Sequence, residues 1–226
     1  MKRNMRAVAR CIGVFVALAI FCAAVPVSAG AAWFWDVPAG SWYAAAVDDL
    51  VDRGIMNGKT SVRFEPGATL TRGEFVTMLA RTVLEEYELA EYDFRGEFSD
   101  VGRSHWANRY VNWANEAGIA KGSGGKFKPG EKLTRQDMAV MVVRFSNATG
   151  MKLSYIYGPQ SFTDGGSIAG YAQSSVTACQ RAGVIEGYSD GSFHPRGVAL
   201  RREAAVMYSR FLERSEEHTS ELQSQS

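Results

Sequence analysis

The chain has 226 residues, 46% of them hydrophobic and 22% charged, with 25 Lys+Arg against 24 Asp+Glu. Such a balance excludes a disordered polypeptide, and away from the two ends it turns slightly acidic, which excludes nucleic acid or an anionic membrane as a charge-driven partner. Of the three cysteines two fall within the first 22 residues, so Cys179 stands alone and no disulfide framework is available to the rest.

The first 29 residues read as a secretory signal. Lys2, Arg3, Arg6 and Arg10 precede an apolar run from Cys11 to Val25, and Val27 to Ala29 offers small residues for cleavage. The run is about 15 residues, short of the ~20 that span a bilayer. Bulky Phe21 before Cys22 argues against a lipid-modified cysteine. Next, Ser41 is expected to cap a helix from Trp42 to Arg53, with Ala46, Val47, Leu50 and Val51 as its apolar stripe and Gly54 as its left-handed stop. Residues 54–67 form a glycine- and proline-punctuated loop that Phe64 plugs and in which Pro66 prevents an early helix start. A second helix is expected from Thr71 to about Glu86, with Phe75, Met78, Leu79 and Val83 on one face. The stretches Tyr87 to Glu97 and Met151 to Gln160 break the helical pattern.

This unit occurs three times. Phe-x-Asp places Asp36, Asp100 and Asp164 at a constant spacing of 64. Trp42, Trp106 and Tyr171 follow them, then the turns Gly54 to Gly58, Gly118 to Gly122 and Gly183 to Gly187, then Phe-x-Pro at Phe64, Phe127 and Phe193. Cys179 falls where Leu50 and Ala114 stand, which predicts a small buried hydrophobe. A two-helix unit of about 50 residues cannot bury its apolar faces alone. The expected fold is therefore all-α: three helix-loop-helix repeats sharing a core in a pseudo-threefold arrangement.

These landmarks, "FWDV…W…GIMNG…FEPG…LTRGEF" in the first unit and nearly the same in the second, resemble the S-layer homology (SLH) domain. The resemblance covers about residues 33 to 213 and divides them into repeats at 33–90, 97–150 and 161–213, between the signal peptide at 1–29 and a tail at 214–226. The tail breaks every preceding pattern and reads as the translation of a sequencing-library adapter, so the natural chain is expected to continue beyond Glu213 in place of this tail. The resemblance implies a secreted protein held noncovalently at the cell wall or S-layer. Its partner would be a pyruvylated secondary cell-wall polysaccharide or a peptidoglycan-linked polymer, bound in grooves between repeats without cofactor or metal. Self-association in a surface layer is the alternative, as is service as the anchor of an enzyme whose catalytic domain lies downstream. No nucleophile-elbow, zinc-protease or P-loop pattern occurs, and the chain itself is not expected to be an enzyme.

The candidate glycan-binding residues are Asp36, Trp42, Arg72, Glu74, Asp100, Trp106, Arg135, Asp164 and Arg202. Thr71 and Glu74 also form a capping box on sequence grounds. An arginine in the first turn opposes the helix dipole unless an anion or a carboxylate joins it. A sugar carboxylate is one such group, and Asp36, Asp100 or Asp164 is the other. Trp42 and Trp106 are read either as staples of the entry loop or as platforms for a sugar face. Aligning Leu200 with Leu70 puts Arg202 in the place of Arg72 and Ala204 in that of Glu74, which makes the third unit the most divergent.

Overall fold

The computed structural model describes residues 34–93 and 96–224, and side chains as far as Glu217. The signal segment lies outside these residues. Seven α-helices are found among them: α1 (Ala44–Asp52), α2 (Arg72–Val83), α3 (Glu86–Leu89), α4 (Asn108–Glu116), α5 (Arg135–Thr149), α6 (Gln173–Arg181) and α7 (Arg201–Ser224). The described residues hold isolated β-bridges only and no strand. None of these helices is long and apolar enough to cross a membrane.

Each repeat opens with its Phe-x-Asp, forms a first helix (α1, α4, α6), turns at the glycine pair and leads into a second helix (α2, α5, α7). The turn has one design in all three. Gly54, Gly118 and Gly183 take φ of 69°, 73° and 70°, a left-handed conformation that glycine adopts without steric cost. The following two amides then converge on one carbonyl: Ile55 and Met56 on Leu50, Ile119 and Ala120 on Ala114, Val184 and Ile185 on Cys179. Cys179 is thereby confirmed at the Leu50 and Ala114 position, and burial pushes its thiol up to about 12.

The second glycine of each turn answers to packing. A Cβ on Gly58 would lie 2.4 Å from the Phe34 ring, and one on Gly122 would lie 2.3 Å from the Phe98 ring. Gly58→Ala and Gly122→Ala are each expected to cost roughly 1–3 kcal/mol through overpacking, read as a lower urea midpoint.

The helices are exchanged between repeats. Each second helix packs principally against the first helix of the next repeat: α2 against α4, α5 against α6, and α7 back against α1. A main-chain triangle closes the ring. Leu70 N donates to Ala199 O (2.9 Å), Ala199 N to Leu133 O (2.8 Å), and Leu133 N to Leu70 O (2.9 Å). Beneath it the second helices bury a shared aromatic cluster in which Tyr208 meets Phe75, Phe145 and Phe211, with its hydroxyl 2.7 Å from Thr82 Oγ1.

Three expectations are corrected. Ser41 does not cap α1: its hydroxyl is buried without a partner, its carbonyl accepts from Ala44 N (3.1 Å), and Trp42 lies in the turn ahead of the helix. The second helix of the first repeat ends at Val83, not Glu86, because buried Leu84 takes an extended conformation and Glu85 with Glu88 caps a new short helix. The triangle also fixes the register of the third repeat, with Ala199, not Leu200, equivalent to Leu70 and Leu133. Arg201 is thus the counterpart of Arg72 and Arg135, and Glu203 that of Glu74 and Asp137.

Candidate functional site

The arginine at the start of each second helix reaches the Phe-x-Pro loop of the next repeat. Arg72 Nε donates to Phe127 O (3.3 Å), Arg135 Nε to Phe193 O (2.8 Å) and Arg201 Nε to Phe64 O (2.9 Å). Each guanidinium also lies over the phenylalanine ring, at 5.0, 5.2 and 4.4 Å from the centroid. The first two amides of each helix donate to the same loop, as Arg72 N does to Glu131 O and Gly73 N to Pro129 O. Thr71 and Glu74 form the expected capping box. In the second repeat Thr134 accepts from Asp137 N, and in the third Leu200 N donates to Glu203. The helix ends are therefore satisfied within the ring, and what remains for a ligand is side chains.

No ion pair joins these arginines to the Phe-x-Asp aspartates among the described residues. Asp36 accepts from Phe64 N and Glu65 N, Asp100 from Phe127 N and Lys128 N, and Asp164 from Phe193 N and His194 N, all at 2.7–2.8 Å. The second donor in each pair is held at positive φ: Glu65 at 59°, Lys128 at 60°, His194 at 55°. Left-handed backbone at a non-glycine residue costs about 1–2 kcal/mol, and the carboxylate clamp holds it in place. The clamp keeps the preceding carbonyl toward the incoming arginine. The aspartates thus stand behind the grooves and shape them.

Burial alone would raise the Asp100 and Asp164 carboxyls, but the backbone donors outweigh it and hold both below the usual range. With folded values below the unfolded value of about 3.9, their contribution is complete above about pH 5 and is lost as the pH falls below about 4. The urea midpoint is expected to stay level from pH 7 to about 5 and then fall. An Asp100→Asn, Asp164→Asn double variant should be weaker at neutral pH and show a shallower acid limb.

Three grooves result, each drawing on all three repeats and numbered here by the repeat whose glycine turn lines it. The third is a cavity of about 210 Å³ bounded by Trp42, Arg135, the turn from Val184 to Tyr188, Glu203 and Arg210. By the pseudo-threefold relation the first is framed by Trp106, Arg201 and Glu74, and the second by Tyr171, Arg72 and Asp137. The aromatic residues lean across the preceding repeat. A Cβ on Gly73 would meet the Trp106 ring at 3.2 Å, and Tyr171 Oη donates to Asp137 Oδ1 (2.7 Å). All three stay exposed, Trp42 by 65%, Trp106 by 56% and Tyr171 by 61%.

The sequence-derived candidates therefore divide. Trp42, Trp106, Arg72, Glu74 and Arg135 border grooves, and Asp36, Asp100 and Asp164 brace loops. Arg202 has its guanidinium beside Gly67, while the groove position belongs to Arg201. Counting from phenylalanine would have found this, since Arg72, Arg135 and Arg201 each lie eight residues beyond Phe64, Phe127 and Phe193. Tyr188 and Glu203 are groove residues that the leucine-based alignment missed.

A family model described as the S-layer homology domain matches residues 34–76, 97–139 and 161–205. The chain is similar to exoglucanase XynX of Acetivibrio thermocellus, 34% identical over 77% of this chain and 16% of that protein. It is also similar to an endoglucanase of Bacillus sp. (strain KSM-635), 32% identical over 79% and 18% respectively. The S-layer protein sap of Bacillus anthracis is 34% identical over 52% of this chain and 14% of its own. The chain spans less than a fifth of the length of these relatives. Three family matches that together cover more than half of the chain and fall on the three units of the ring make it a member of the S-layer homology domain family.

Proposed function

We propose that this chain anchors a secreted protein noncovalently to the bacterial envelope by gripping an anionic, pyruvylated wall polysaccharide in its inter-repeat grooves. The family is a cell-surface one, and its presence in both S-layer proteins and polysaccharide-degrading enzymes supports a portable anchor. One observation carries the reading: a large aromatic residue stands exposed at the same place in all three repeats, beside a groove edged by cationic side chains. The ring closes without covering these aromatic faces, and their recurrence at one place in all three repeats supports a role in contact with a ligand. An indole or phenol face suits the apolar face of a sugar, and three grooves on one body add avidity.

The test is co-sedimentation with purified wall sacculi, before and after chemical removal of pyruvate. Binding is expected to drop on depyruvylation. Trp42→Ala and Trp106→Ala should each weaken it by about three- to tenfold while leaving the melting temperature nearly unchanged. Equal binding to native and depyruvylated sacculi would overturn the reading. The S-layer relatives favour a second one, self-assembly into a surface lattice. It predicts sheets that form with concentration in the absence of any wall.

A further inference from the structure

The three grooves share one backbone plan but differ in charge. In the third, every charge is answered from within. Arg135, only 9% exposed, lies between the rings of Tyr188 and Phe193 and pairs with Glu203 at 3.4 Å. Tyr188 Oη donates to the same Glu203 carboxylate (2.6 Å), and Arg210 pairs with Glu186 at 3.0 Å. In the first, Lys59 pairs with Glu74, and Arg81 Nη1 donates to the Asn57 amide oxygen, at 3.1 Å in the orientation that satisfies that amide. Arg201 there is 4% exposed, with Nε and Nη2 on the Phe64 and Asn57 carbonyls.

The second groove departs from both. Lys121 occupies the position of Glu186, and Arg144 occupies that of Arg210, so the place where the third groove has an ion pair holds two cations here. Among the described residues neither Lys121 nor Arg144 has an ion-pair partner. Ser123 replaces Tyr188, so Arg72 has the Phe127 ring but no counterpart of the Tyr188 ring, and stays half-buried with Nη2 reaching Lys121 O at 3.1 Å. The acid at the Glu203 position is tied back: Asp137 takes the Tyr171 hydroxyl on Oδ1 (2.7 Å) and the Thr134 hydroxyl (2.6 Å) on Oδ2. Like charges placed together repel unless an anion lies between them.

We propose that the second groove is where this chain takes the carboxylate of its polymer, and that Lys121 and Arg144 select for it beside Arg72. The proposal rests on the anchoring reading above. The internally paired third groove takes no acidic group and is left to neutral sugar against Trp42.

The molecule itself supplies the test. Lys121→Glu gives the second groove the carboxylate that Glu186 gives the third, so it is expected to keep the melting temperature. Glu186→Lys with Tyr188→Ser makes the third groove resemble the second. The probes are a purified pyruvylated wall polysaccharide and the same polymer after depyruvylation, titrated calorimetrically at low and high salt. The wild-type protein should prefer the pyruvylated form at least tenfold, and Lys121→Glu should abolish that preference. The paired third-groove substitutions should tighten pyruvylated binding at least threefold. If wild-type preference is present and Lys121→Glu stays within twofold of it, the groove assignment is wrong and the anchoring reading stands. If the wild-type protein shows no preference, the anchoring reading fails and the groove assignment with it.

Discussion

Arg201→Ala is expected to destabilise the ring by roughly 3–5 kcal/mol, whereas Arg202→Ala should change it by less than about 0.5 kcal/mol. Arg201 is the buried bolt between the third repeat and the first. Its Nε donates to Phe64 O (2.9 Å) and its Nη2 to Asn57 O (2.7 Å), with the guanidinium over the Phe64 ring. Truncation removes two charge-assisted bonds of about 1.5–3 kcal/mol each and leaves two carbonyls facing a void. Burial lowers the guanidinium's pKa while Glu74, Glu65 and Asp36 oppose that shift. Arg201→Lys keeps the charge but loses the planar pair of donors, so it should recover only part of the loss. Urea denaturation of the four proteins checks this. A stable Arg201→Ala beside a crippled Arg202→Ala would restore the leucine-based alignment and refute the register drawn from the main-chain triangle.

Removal of the third repeat, by ending the chain at Gly158, is expected to abolish cooperative folding of the other two. In a string of independent beads the loss of one end leaves the rest intact. Here α1 loses α7, its principal packing partner. Arg135 loses the Phe193 carbonyl, Leu70 N loses Ala199 O, and the aromatic cluster loses Tyr208 and Phe211. Either large side chain alone is worth about 3–5 kcal/mol, and a domain of this size holds only about 5–15 kcal/mol in all. Circular dichroism melts and amide dispersion by NMR would read the result. A sharp transition in the truncated chain would show that the repeats fold separately.

Much of this was legible in the sequence. The helices, the glycine stops, the capping box at Thr71 and the buried role of Cys179 follow from local patterns with a direct physical cause. What escaped is what depends on another repeat. Leu200 looks like the partner of Leu70 because both are leucines before an arginine. The actual constraint is a carbonyl-to-amide triangle, which any residue can join and which Ala199 does. The arginines invited an anion or an aspartate as partner. Their carbonyl partners lie more than 50 residues away in sequence and carry no signature beyond a phenylalanine. Ser41 resembled a cap, but the loop from Pro38 turns one step too soon for its hydroxyl to reach the helix.

The triangle at Leu70, Leu133 and Ala199 is made of main-chain atoms, and so are the acceptors that receive the three arginines. Closure consequently makes few demands on the residues at positions 57, 121 and 186, or at 59, 123 and 188. The lining of each cleft can therefore differ from the others without loosening the ring. A scaffold of this kind can alter what its clefts accept by exchanging a handful of exposed residues while its architecture stays still.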